Sequence, residues 1–278
     1  MVSTIQIKPA SLLQPYISCY AIRTFETGDT SMLKPMHAVN QCYMSFFLKD
    51  PFCDLIDISG KWQDQKSNSL CTLLTQTKGY TSYKGNFKIF CIQFKSNGLF
   101  AIFGIPQKEL INSILRLEDI LGNDNNLLTE QLEGSADIIE MAKLMNSFLT
   151  SRLLCKKLKD RTYIIANTCD IILKNKGLVS MASLSSYANM SFRNFERKFL
   201  DEVGMAPKLY ARITRFNNAL ENKMLHPSKS WTDITYENGY FDQAHFIREV
   251  KMFSSKSPDE LFKHTPPPTE TFIEKVEY

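Results

Sequence analysis

The chain is poor in the features that mark enzymes, membrane proteins and secreted disulfide scaffolds. No apolar run approaches the ~18 residues that a membrane-spanning helix needs. The first residues, MVSTIQIKPASLLQPYIS, place no basic segment ahead of an uninterrupted apolar stretch, so they do not read as a secretory signal. Seven cysteines, at 19, 42, 53, 71, 91, 155 and 169, include no CxxC pair and are odd in number. That pattern predicts a reducing compartment, cysteines acting as small buried hydrophobes, and no metal. There is no P-loop, no GxGxxG and no GxSxG, so no cofactor is expected. The four histidines, at 37, 226, 245 and 264, are scattered. His37 heads a strand pattern and could line a barrel, but a lone histidine is more often structural. The net charge of +4 is too small by itself to imply nucleic acid.

What is present is an ordered globular composition, 44% hydrophobic and 22% charged, over 278 residues, enough for two domains. The chain changes character near residue 105. Before it, HAVNQCYMSFFL (37–48), CDLIDIS (53–59), SLCTLLTQT (69–77) and FKIFCIQFK (87–95) are rich in aromatic and β-branched residues and are punctuated by turn residues. They predict an antiparallel β barrel or sandwich over about 15–100, with Phe46, Phe90 and Phe94 facing inward. After Pro106 the signals turn helical. ADIIEMAKLMNSFLTSRLLCKK (136–157) puts Ile139, Ala142, Met145, Phe148 and Leu149 on one stripe. That stripe would either make a dimer contact or pack on its own barrel. The expected fold class is therefore α+β and multidomain: a β-rich domain with C-terminal helices over 1–158, an all-α domain over 159–265, and a proline-rich tail over 266–278. The main boundary falls in the basic stretch KKLKDR.

The all-α part contains a repeat. At a spacing of 51 residues, SFRNFERKF (191–199) falls on DQAHFIREV (242–250), so that Phe195 meets Phe246, Phe199 meets Val250 and Arg197 meets Arg248. Ser191 and Asp242 are good N-cap types and begin the two helices together. Ahead of each lies a short helical segment and a turn holding Asn189 or Gly239, residues that tolerate positive φ. This is helix, tight turn, helix, made twice. With Phe195 at zero on a helical wheel, Phe192 and Phe199 fall at about 60° and 40°, on the core side, and Arg193 and Arg197 at about 160° and 200°. In the second copy Phe246, Val250 and Phe253 face the core while Ala244, Arg248 and Lys251 point away. An exposed helix after such a turn has the width and the donors to enter a major groove. Between the copies, Pro207 suits a first helical turn. KLYARITRFNNALENKML then places Leu209, Ile213, Phe216 and Leu220 at helical spacing, predicting one long linking helix.

On these residues the segment from about Tyr163 to His264 resembles the DNA-binding domain of the AraC/XylS family of bacterial transcription regulators. The matching stretches are MSFRNFERKFLDEVGMAPKLYARITRFNNAL and WTDITYENGYFDQAHFIREVKMFSSKSPDELF. The N-terminal part, through LLQPYISCY, FKIFCIQFKSNGLFAIFGIP and LEDILG, is similar to the β-rich sensor-like domain found before this module in one branch of the family. The resemblance implies a cytoplasmic, sequence-specific regulator that binds double-stranded DNA. RNA polymerase, a second copy of the chain and an unidentified small-molecule effector are further candidate partners. Carried over residue by residue, it implies that Arg193, Asn194, Glu196 and Arg197 of the first helix, and Gln243, Ala244, His245 and Arg248 of the second, face base edges. Ser191, Lys208, Tyr210, Arg212, Asp242 and Lys251 would lie along the backbone. The sequence departs from the family at Ala244, where a serine is commoner. It departs again at Ser255, where glycine is commoner, and at Asn222-Lys223, where leucines are more usual.

Charge divides the copies. From 174 to 217 eight basic residues stand against three acidic ones, a net of +5, and from 218 to 263 six stand against seven, a net of −1. Phosphate attraction is expected mainly through the first unit. Other classes stay open: a non-DNA-binding interaction protein that kept the fold, or a β-barrel enzyme fused to a DNA-binding module. A third, alkyl-transfer repair, needs a clustered-cysteine zinc site that the chain lacks.

Overall fold

The computed structural model describes residues 2–48, 53–64, 68–155, 162–264 and 273–276. The N-terminal half contains β1 (Val2–Ile7), β2 (Ile17–Glu26), β3 (Met32–Pro35), β4 (Cys42–Phe47), β5 (Cys53–Ile56), β6 (Trp62–Asp64), β7 (Ser69–Cys71), β8 (Tyr80–Tyr83), β9 (Asn86–Phe94) and β10 (Ile114–Arg116). Helix α1 (Gly98–Phe103) and a 3-10 turn (Gln107–Glu109) precede β10, and α2 (Leu117–Leu121), α3 (Asp124–Gly134) and α4 (Ile138–Cys155) follow it. The expected change of character near 105 is thus blurred on both sides. A helix begins at Gly98, and a strand returns at Ile114.

The strands form a sandwich. The larger sheet has the order β10-β7-β4-β9-β2-β1, and β3-β8-β5-β6 is the smaller one. All these pairs are antiparallel. Strand β9 lies at the centre, between β2 and β4, and is buried on both faces. Phe90, Ile92 and Phe94 join the main core, while Phe87, Ile89 and Cys91 pack toward the smaller sheet with Phe25, Met32 and Tyr83. This explains why FKIFCIQFK is a nearly continuous apolar run and lacks the polar alternation of a half-exposed strand. Phe46, Phe90 and Phe94 point inward as expected. The helix α4 settles one open choice. Of the expected stripe, Ala142, Met145 and Leu149 are buried, with Ile138 and Met141 beside them, and Ile139 and Phe148 are half-buried against the same core, so the stripe packs on its own domain.

The C-terminal half is helical throughout its described residues between 162 and 264. It comprises α5 (Thr162–Lys174), α6 (Met181–Tyr187), α7 (Phe192–Val203), α8 (Pro207–Leu225), α9 (Trp231–Glu237), α10 (Gln243–Ser254) and α11 (Pro258–His264). The long linking helix begins at Pro207, with Ile213, Phe216 and Leu220 buried. The departure at Asn222-Lys223 now has a structural account. Asn222 Nδ2 donates to Glu237 at 2.8 Å, and Lys223 Nζ caps the carbonyls of Pro227 and Lys229 while lying over the Trp231 ring. Polar anchoring replaces the apolar packing that leucines would supply. The expected boundary in KKLKDR lies outside the described residues. So does most of the tail, but β11 (Ile273–Val276) adds a parallel strand beside β1.

The two halves share one hydrophobic core, running from the large sheet through α4 into α5–α11. Polar contacts pin it on both sides of α8. Toward α7, Ser96 bonds the Tyr210 hydroxyl, Lys108 pairs with Asp201 at 2.7 Å and the 3-10 turn packs on α7. Toward α10, Ala38 N–H donates to the Phe253 carbonyl at 3.0 Å, Asn40 Nδ2 donates to Thr214 Oγ1 at 2.8 Å, and the buried His37 ring meets Phe216 edge-on. His37 thus lies in the contact between the two halves, against α8. Burial, and secondarily Lys34, push its pKa down to about 4, which keeps the ring neutral between the domains.

Candidate nucleic-acid interface

Both helical units are capped by side chains at each helix start. Ser180 accepts from Ser183 N–H and Ser230 from Asp233 N–H, ahead of α6 and α9. Ser191 accepts from Asn194 N–H at 3.4 Å, and Asp242 from His245 N–H at 2.6 Å, ahead of α7 and α10. Each such cap contributes ~1 kcal/mol. In the turns, Asn189 (φ 50°) and Gly239 (φ 68°) both take the left-handed conformation. Their surroundings match bond for bond. Met190 N–H donates to the Ser185 carbonyl and Tyr240 N–H to the Thr235 carbonyl, both at 3.1 Å.

These pairs refine the repeat. The first helix and turn recur at a spacing of 50 residues (Ser180 with Ser230, Asn189 with Gly239, Met190 with Tyr240). The second helix recurs at 51 (Ser191 with Asp242, Phe195 with Phe246). One residue has been inserted in the second turn. It is Phe241, which is 86% exposed.

The second helix of each unit is split as the wheel predicts, with one exception. Phe195, Phe199, Phe246, Val250 and Phe253 are fully buried, a contribution of roughly 1.5–3 kcal/mol each. Arg193, Asn194 and Arg197 on α7, and Gln243, Ala244, Arg248 and Lys251 on α10, are exposed. The exception is Phe192, expected on the core side but 48% exposed. It is the first residue of α7, where the helix has only begun to meet the core. Arg197 is steadied by Asn194, whose Oδ1 accepts from its Nη2 at 2.9 Å.

Elsewhere the structure rearranges the sequence-derived set. Tyr210 is corrected outright. It is fully buried, its hydroxyl is bonded to Ser96, and it cannot lie on a DNA backbone. Arg212 is half committed, since its Nε donates to Glu249 Oε1 at 2.6 Å and its guanidinium lies over the Phe253 ring. His245 leans back on Tyr240 and toward Glu249. Glu196 and Asp242 are half-buried, whereas Ser191 and Lys208 remain exposed.

Sequence reasoning missed the centre of this arrangement. The carboxylate of Glu249, almost wholly buried, is held by Arg212 and, through Oε2, by Arg215 at 3.2 Å; Arg215 in turn covers the Tyr240 ring. The clasp ties α10 to α8 and so fixes the second unit on the linking helix. It also narrows the charge difference between the units, because two cations counted with the first neutralise an anion of the second. The available signal was Glu249 between Arg248 and Val250, on the buried side of an amphipathic helix. A carboxylate there requires a partner.

Residues 184–264 match a family model described as "Helix-turn-helix domain", the AraC-type form, and residues 5–116 match "Domain of unknown function (DUF6597)". The chain carries an AraC-type helix-turn-helix domain over residues 184–264 and is a DNA-binding transcription regulator. No curated protein matches it by sequence. Among solved structures, the regulator is similar to a crystal structure of ToxT from Vibrio cholerae, at 12% identity and a TM-score of 0.45, covering 88% of this chain and 97% of that one. A fatty acid-bound form of ToxT from the same organism gives 11%, 0.44, 87% and 95%. A reduced CprK gives 12%, 0.21, 69% and 86%. Likeness at these levels carries nothing about ligand or operator. No described helix of the regulator is long and apolar enough to cross a membrane.

Proposed function

We propose that the regulator lays α7 and α10 in successive major-groove faces on one side of a duplex, roughly one helical turn (~34 Å) apart. Arg193, Asn194 and Arg197 would read one element, and Gln243, Ala244 and Arg248 the other. Ser191, Lys208, Asp242 and Lys251 would lie along the phosphates, where backbone amides, hydroxyls and ammonium groups position a protein without reading sequence. Glu196, His245 and Arg212 would contribute less, being held within the fold. One chain then covers two short elements without a symmetric partner. The β domain, docked on both units, would carry the regulatory input from an effector or partner.

The observation that carries this reading is the matched pair Arg197 and Arg248. Each is exposed on the side of its helix opposite the buried phenylalanines, at equivalent positions of the repeat. The test is binding of Arg197→Ala and Arg248→Ala to selected and scrambled duplexes across a salt series. Base reading predicts a loss of ~1–3 kcal/mol on the selected site and relaxed preference at one position. Phosphate contact alone predicts similar loss on every sequence and a salt slope lower by about one. Unchanged affinity for both duplexes in both variants would remove the mechanism.

A further inference from the structure

The two recognition helices present different chemistry at matched positions. Where α7 carries the exposed Arg193, α10 carries the exposed Ala244, 51 residues on. Where the first turn closes directly on its N-cap, the second inserts Phe241, placed one residue before the capping Asp242 and left almost bare. Its neighbour Tyr240 takes the inward place that Met190 takes in the first unit, so Phe241 is not needed to fill the turn. The insertion puts an aromatic ring at the N-terminal end of the helix, the end that meets base edges in this motif. Ala244 stands three residues further on, and Gln243, an adenine-reading type, lies between them.

The only apolar group that a base pair displays in the major groove is the C5-methyl of thymine. We propose that the second unit recognises thymine methyls through Phe241 and Ala244. Its element then carries A·T pairs at positions where the first unit's element carries the guanine that Arg193 reads. This deepens the reading of α10 as a base-reading helix and rests on it.

The test separates the two. Duplexes are selected from a randomised pool with the full chain, and the element of the second unit is located by the loss caused by Arg248→Ala. Each thymine there is then replaced by uracil, which deletes the methyl and keeps Watson–Crick pairing. Removing a contacted methyl should weaken wild-type binding about fourfold, the worth of one buried CH₂ group. Phe241→Ser should bind more weakly than wild type and lose discrimination at the position it covers. Indifference of the wild type to uracil at every position of that element would overturn this inference alone. So would a Phe241→Ser loss equal on thymine and uracil duplexes. A chain that enriches no sequence would overturn the base-reading assignment along with it.

Discussion

The two helix-turn-helix units share a plan but are secured differently. The first is built into the rest of the molecule. Its α7 lies against the 3-10 turn, Asp201 pairs with Lys108 of the β domain, and Glu202 is buried beside Asn97. The second is held chiefly by the linking helix, through Glu249 between Arg212 and Arg215, with the β domain adding Ala38 at Phe253 and Lys256 over Tyr80. Both units thus touch the β domain, and the second is in addition tied to α8 by a buried ion cluster.

The comparison can be broken most sharply at Glu249. Glu249→Ala leaves the mostly buried Arg215 and the partly exposed Arg212 without their carboxylate and should destabilise the fold by up to ~3 kcal/mol, the low end of the cost of breaking a buried pair because Arg212 keeps access to water. Urea denaturation would give the total. Amide exchange should show α10 loosening well before α7. Equal loosening of both would mean the units are not separately secured.

The helix ends offer a second contrast. Gly204 (φ 92°) and Ser255 (φ 61°) end α7 and α10 at matched positions, both left-handed. A Cβ on Gly204 would lie 2.9 Å from the Gln107 carbonyl oxygen, because the β domain closes over that turn. Ser255 is exposed and faces no such wall. Gly204→Ser should therefore cost more than the ~1–2 kcal/mol of left-handed backbone strain alone. The resulting shift in unfolding midpoint measures it, and a cost equal to strain alone would show that the loop yields.

Stability against pH probes the docking of the first unit. Burial is the main cause that pushes Glu202 up to about 7 from 4.5, against opposing contributions from Lys198 and an Asn97 hydrogen bond. A raised carboxyl binds protons more tightly when folded, so its share of stability is fully present below pH 4.5 and is lost as pH rises through 7. The size is on the order of 3 kcal/mol. His37 runs the opposite way. With its pKa lowered from 6.5 to about 4, its share is present above 6.5 and lost as pH falls toward 4. The two slopes oppose each other over pH 4.5–6.5. Glu202→Gln should unmask a rise in stability across that window, read from denaturation midpoints at pH 5, 6 and 7. A curve unchanged by the substitution would place Glu202 in contact with solvent.

The smallest effect is expected at the other helix end. Ser255→Gly relieves strain at an open position and should stabilise the chain by about 0.5–1 kcal/mol. A thermal scan would detect it, and a loss would mean that the serine side chain contributes an interaction of its own.

Much of the helical domain was legible because its signals are local. Capping types at 191 and 242, tolerant turn residues at 189 and 239, Pro207 at a helix start and phenylalanines at helical spacing all act within a few residues. Their outcome does not depend on what packs from outside. In the β domain the apolar runs at 37–48, 53–59, 69–77 and 87–95 foretold β4, β5, β7 and β9, whereas the ten-residue β2, with Ser18, Arg23 and Thr24 among its apolar residues, was not singled out. Strands β3 and β10 are short edge pieces whose pairing comes from partners far along the chain. The candidate site divides in the same way. The outward direction of Arg197 and Arg248 follows from helical periodicity alone, and so does that of Ala244. Tyr210 looked like a surface residue because nothing near it in sequence announces Ser96, and Arg212 looked free because Glu249 lies 37 positions away. Sequence by itself determined two helix-turn-helix units and the face each turns outward, since 3.6-residue periodicity and capping are short-range physics. Only the tertiary structure decided which polar groups on those faces remain available, because burial and ion pairing depend on distant segments arriving together.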